Sequence, residues 1–300
     1  MIFVRDLGAP ETPRLLPSDG SWLCVEMAPP RSGVTHISRD GSDVSLVART
    51  GLPQGLAPDR DGTIWVLNND PVACLMRVTL TGESEVVLEA VEGRHMLLTN
   101  DLCFGPDGRL YITDSGMPMS DWVVDGAPRP DHATADFDGR VYQVDLASRT
   151  GRILDDGIRF TNGICFGPDD HLYVNEMISG DVFRYRFANG APTGEREPFA
   201  NVISDDWSGT FRGPDGMAFG QDGRLYCSVY GEGNVAVIDP DGTVVDRIRT
   251  AGRDPSNVAW GPEGDTRLFV TEHELGQIEI HETATTGLPL YYGGPERLRV

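Results

Sequence analysis

Apolar and polar positions alternate in short runs along this chain, and the runs recur in register. The segments Gln54–Val66, Asn100–Ile112, Asn162–Val174 and Asp215–Cys227 align residue for residue. In each, a polar residue opens a short apolar strand. An acidic turn follows seven residues later (Asp61, Asp107, Asp169, Asp222), and a second strand leaves the turn. Looser copies begin at Glu11, with a turn one residue longer at Asp19, and at Ser256. Copies spaced by about 40 to 60 residues, each one supersecondary unit, are the mark of a β-propeller. The pattern predicts an all-β, six-bladed β-propeller in a single domain spanning residues 1–300. The expected blades cover 11–50, 54–92, 100–156, 162–202, 215–250 and 256–287.

Second strands such as Leu110–Asp114, Leu172–Glu176 and Leu268–Glu272 are β-branched and aromatic runs behind a turn. No long amphipathic helix is visible. The last blade lacks an outer strand, and Ile2–Arg5 is expected to supply it and leave no free sheet edge. Residues 115–138 and 201–213 break the period. Long loops in compact domains are commonly functional, and Met117, Met119, Trp122 and Trp207 suit lids over something apolar.

One repeat position changes identity while the rest stays fixed. It opens the strand that lines a propeller's central channel, so it sits at one channel mouth. Its occupants are Glu11, Gln54, Asn100, Asn162, Asp215 and Ser256, and each carries a side-chain oxygen. Asn162-Gly163 and Asp215-Gly216 are also ordinary turn dipeptides, but each repeat already has its hairpin turn. An oxygen-only set with two carboxylates suits a hard divalent cation of the Ca²⁺ type, whereas Zn²⁺ favours nitrogen and sulfur. Without a cation, Glu11 and Asp215 repel, and one of them tends to protonate.

The formal charge of −21 argues against nucleic acid and against an anionic membrane surface as partners. All 25 basic residues are Arg, which excludes a lysine Schiff base. The five Cys form no CxxC pair, and Cys103 and Cys165 read as buried free thiols at one repeat position. With neither a signal-peptide pattern nor a long apolar run at the N-terminus, a cytoplasmic protein is expected. Gly231–Ala236 matches a dinucleotide fingerprint, but a strand follows it instead of a helix. No Gly-x-Ser-x-Gly occurs. The six His show no ligand spacing; His132 and His273 could face a pocket, yet each reads as a surface residue.

The segments Pro10–Pro13, Thr99–Asp101, Asn162-Gly163 and Pro214–Gly216 resemble the regucalcin/gluconolactonase/luciferin-regenerating-enzyme family of six-bladed propellers over nearly the whole chain. The resemblance implies Ca²⁺ on Glu11, Asn162 and Asp215, with Asn100 as a further ligand or substrate contact. It implies lactone hydrolysis, or organophosphate hydrolysis in one branch of the family. Thr12 stands where that family has Gly, and Glu26 is the fallback ligand should Glu11 be displaced. Thr99 lies near where sugar lactonases often place a substrate-binding Arg, which with the Met and Trp lids suggests a less polar lactone.

On this reading Asp215 is the base or nucleophile, and Asn100 orients the substrate. Gln54, Asp101, Ser256, Met117, Trp122 and Trp207 are the other candidate substrate contacts. A non-catalytic, metal-stabilised binding scaffold is the alternative, as is an enzyme that rearranges lactones without net hydrolysis.

Overall fold

A computed structural model describes residues 1–29, 31–204 and 211–300. Six four-stranded antiparallel sheets form the blades of a six-bladed propeller. Their innermost strands are Pro10–Leu15, Pro53–Pro58, Thr99–Phe104, Thr161–Phe166, Gly213–Phe219 and Pro255–Trp260. Each packs against the innermost strands of both neighbours, the last against the first, so the ring closes.

Burial follows position in the blade. Inner strands such as Pro10–Leu15 and Ile64–Asn68 are buried throughout, while the outer strand Ser84–Leu88 is largely exposed. Hairpin turns recur for a local reason. Asp107 accepts from the Arg109 backbone N–H (3.1 Å) and from the Tyr111 hydroxyl (3.0 Å), and Asp169 and Asp222 repeat both contacts. In the second blade Asp59, and not Asp61, takes these bonds, from Asp61 and Thr63 N–H and from the Trp65 indole.

The N-terminus closes the ring as the short last blade requires. Ile2–Val4 pairs antiparallel with Gln277–Glu282, and Phe3 stacks edge-on against Phe269 (5.0 Å) and Trp22 (5.9 Å) of the first and last blades. At the other end of the chain, residues 286–300 cross the face that carries the hairpin turns. Gln221 N–H donates to Thr286 O (2.8 Å), Leu288 N–H to Phe219 O (2.9 Å) and the Tyr291 hydroxyl to Asp170 (2.7 Å). Asp170 has φ +56° at the turn position where Gly108 and Gly223 stand in other blades. Its side chain is what anchors this segment, since Arg297 also reaches it (2.9 Å). Among the described residues no helix is long and apolar enough to cross a membrane.

Candidate functional site

Each innermost strand begins at the mouth opposite those turns. In every blade its pairing slips beside the variable repeat position: between Glu11 and Arg14, Pro53 and Gly55, Thr99 and Leu102, Thr161 and Ile164, Pro214 and Met217, and Pro255 and Asn257. A bulge of this kind re-aims a side chain that regular pairing would hold in the ladder.

Gly163 and Gly216 are strand residues and not turns, and neither has a left-handed φ. A Cβ on Gly163 would lie 2.2 Å from Asp215 O, and one on Gly216 would lie 1.9 Å from Asn257 Cγ. Glycine is therefore set here by the close approach of neighbouring strands. Thr12, by contrast, carries a β-branched side chain at φ +49°, a conformation such residues rarely adopt. Its hydroxyl donates to Gln54 O (3.0 Å), which ties the first blade to the second.

Glu11, Asp215 and the Asn162 amide meet at this mouth. Burial, then Glu11, then Asp101 hold the Asp215 carboxyl well above the usual carboxylate range, and Asn162 and the Gly216 N–H pull the other way. Glu11 accepts the Thr12 N–H (3.2 Å), and its other oxygen lies 3.3 Å from His273 Nε2. Asn162 gives its NH₂ to Met177 Sδ (3.5 Å), which leaves its Oδ1 buried with no hydrogen-bond partner. Gln54 Oε1 is in the same condition. Asn100 donates to Ser115 Oγ (3.1 Å), so its carbonyl oxygen is uncommitted among the described residues.

Buried acceptors without donors, beside carboxylates that repel, are what a hard cation would satisfy. Among the described residues no three His, Cys, Asp or Glu side chains form a metal cluster. The donor set that does fit is mixed, with two carboxylates and amide oxygens.

Other candidates are placed differently. Ser256 is fully buried, and its hydroxyl bonds to Pro10 O (2.9 Å) and Thr271 Oγ1 (2.9 Å), so it is a strut between the last and first blades. Glu26 is spent as well, accepting from Gly8 N–H (2.6 Å), Thr35 Oγ1 (2.5 Å) and Arg31. Asp114 and Glu272 likewise brace the loops that enter their own inner strands, through Leu98 N–H (3.0 Å) and Asp254 N–H (2.9 Å). The recurrent acid ending each second strand was visible in the sequence, but its bracing role was not. Asp101 lies one residue deeper in the channel, 3.6 Å from Arg14 and 3.4 Å from Asn257 Nδ2. Burial pushes its carboxyl up to about 6 against the pull of Arg14.

The first insertion is a folded cap. Met117 and Trp122 are buried with Leu98, Phe137, Phe160 and Met177, and Trp122 contacts Phe160 (4.7 Å) and Phe211 (5.1 Å). Met177 joins this apolar cluster to Asn162, and Tyr230 joins it to His273. Trp207 lies outside the described residues. His273, read from sequence as a surface residue, is mostly covered and faces both Glu11 and the Tyr230 ring (5.8 Å). Its place at a strand end gave only a weak signal of this.

The family model described as SMP-30/Gluconolactonase/LRE-like region matches residues 9–274. A gluconolactonase of Zymomonas mobilis is 26% identical over 230 residues, which is 75% of this chain and 62% of that protein. The chain thus aligns with less than two thirds of that relative's length. A diisopropyl-fluorophosphatase of Loligo vulgaris is 27% identical over 264 residues, 80% of this chain and 75% of that protein. In fold, the chain is similar to a calcium-binding regucalcin from Agrobacterium tumefaciens, with a TM-score of 0.74 at 19% identity, covering 97% of this chain and 99% of that one.

Proposed function

The chain belongs to the SMP-30/gluconolactonase/LRE-like family, and from that premise we propose that it is a lactonase, a hydrolase that opens a lactone ring at the carboxylate mouth with a bound divalent cation, Ca²⁺. The observation that carries this reading is Asn162 Oδ1, a buried amide oxygen left without a donor beside Asp215, which itself lies in the field of Glu11. Glu11, Asn162 and Asp215 would hold the cation, with Asn100 beside them. A hard cation there supplies Lewis acidity toward a lactone carbonyl and its oxyanion.

The chain's own groups do the rest. Asp215 takes the proton of the attacking water at a carboxylate oxygen, a role that its buried position prepares. Asn100, which gives one amide N–H to Ser115 Oγ, orients the substrate by donating the other to a lactone oxygen. Asp101, paired with Arg14, floors the site, and Gln54 borders it. Met117 and Trp122, expected to touch substrate, are instead the core of the cap, and its apolar edge at Met177 beside Asn162 favours a lactone less polar than a sugar lactone.

The test is proton release against a panel running from aldonolactones to aliphatic and aromatic γ- and δ-lactones, with Ca²⁺ and with chelator. Chelator-sensitive turnover, best with an apolar member, is expected. No turnover of any member by metal-loaded protein would overturn the proposal.

A further inference from the structure

The repeat that builds the ring at the carboxylate mouth builds a second ring three residues further on. Its members are Arg14, Ala57, Cys103, Cys165, Ala218 and Ala259. Five of them are small, so the channel widens there instead of filling, and all six line a cavity of about 110 Å³ at the turn-bearing end. This is the opposite end of the channel from Glu11 and Asp215. The C-terminal segment covers it, contributing Leu288, Tyr291 and Tyr292 to the lining. The cover is held by the contacts of Thr286, Leu288 and Tyr291 described above and by Arg60 N–H to Tyr292 O (3.1 Å).

Arg14 and Tyr292 enter this space, whose lining also includes Gln221, Glu263, Arg297 and Arg299. Arg14 is nine-tenths buried, yet it gives one hydrogen bond, to Pro13 O (3.0 Å), and meets Asp101 only at 3.6 Å, beyond hydrogen-bond length. Most of its five N–H donors are thus uncommitted among the described residues. Tyr292 is also buried as a residue, and its hydroxyl makes no hydrogen bond among the described residues. Asp101 meets the Arg14 charge from one side, and the remaining guanidinium donors are free to pair with a second acceptor in the cavity.

We propose that this cavity is a second ligand site, specific for a small apolar monocarboxylate whose carboxylate pairs with Arg14 and the Tyr292 hydroxyl and whose carbon body lies among the Ala and Cys side chains. A charge-assisted, forked contact suits a guanidinium and a carboxylate. The cavity is smaller than the about 150 Å³ that takes one benzene, which limits the ligand to a short body of about three or four carbons. The site shares no residue with the metal-binding set and meets the lactone site only through the Arg14–Asp101 pair.

Propionate and butyrate, with propan-1-ol and butan-1-ol as neutral controls, test it by calorimetry and thermal shift on the full chain. The carboxylates are expected to bind and raise Tm, and the alcohols to bind at least tenfold more weakly. Tyr292→Phe, which removes one oxygen, is expected to fold normally and lose about tenfold in affinity for the acids. Arg14→Met should abolish the preference for acid over alcohol. Ala259→Leu, which fills the cavity, should abolish binding of both classes while leaving lactone turnover unchanged. Failure of folded wild-type protein to bind either acid at 10-fold molar excess over millimolar protein would overturn the proposal. So would equal affinity of wild type and Tyr292→Phe, or displacement of the acid by Ca²⁺ chelation.

Discussion

Asp215→Asn should change the sign of its effect on stability according to whether a divalent cation is present. In the metal-free protein the Asp215 carboxyl is held well above its ordinary value of 3.8 by burial, Glu11 and Asp101. A folded-state pKa above the unfolded one means that folding favours the neutral acid. That contribution is present below the unfolded pKa and is lost as pH rises toward the folded one. Near neutral pH the buried charge is therefore a liability, and the uncharged, nearly isosteric Asn removes it. In chelator at pH 7.5, Asp215→Asn is expected to melt above wild type.

With Ca²⁺ the order reverses. A cation that binds only the folded state adds about 2.7 kcal/mol at one hundred times its Kd. Unfolding 300 residues carries an entropy of about 0.6 kcal/mol per degree, so wild type should gain about 4 °C. The variant, with one carboxylate left at the mouth, should gain almost nothing at the same concentration. The assay is differential scanning calorimetry of both proteins in chelator and across a Ca²⁺ series. A variant that gains as much as wild type from Ca²⁺ would refute the assignment of Asp215 as a ligand. A variant that melts below wild type in chelator would refute the electrostatic argument.

Other outcomes follow from particular contacts. Removal of residues 1–5 deletes the strand paired with Gln277–Glu282, buried Val4 and the Phe3 ring contacts; a loss of about 5 kcal/mol, or about 8 °C in Tm, is expected by calorimetry. Trp122→Ala empties the centre of the cap and should cost about 3–5 kcal/mol by urea unfolding. The same variant should lower kcat/KM for apolar lactones more than for sugar lactones. Gly216→Ala forces a methyl into the Asn257 side chain and should cost about 1–3 kcal/mol; its Ca²⁺ affinity, read by calorimetric titration, should fall with it. Single turnover in ¹⁸O-water should label the product acid and leave Asp215 unlabelled in a peptide digest, whereas label in Asp215 would make it the nucleophile and not the base.

The local pattern of this chain was enough to determine the six blades, their order and the closing strand at Ile2–Val4. The repeat is written in strand period and turn chemistry, both of which act over a few neighbouring residues, as the Asp107–Tyr111 contact illustrates. Gly163 and Gly216 were legible as glycines but not for their reason, because the atoms that exclude a Cβ belong to the next blade. Ser256 and Gln54 looked equivalent in the alignment. Packing made one a strut to Pro10 and Thr271 and left the other with a buried free acceptor. Only the tertiary structure brought His273 to Glu11, set Asp101 against Arg14 and Asn257, and drew the C-terminal segment over the far mouth. Those contacts join residues far apart in the chain, and no local periodicity encodes which side chains the closing of a ring will bury together.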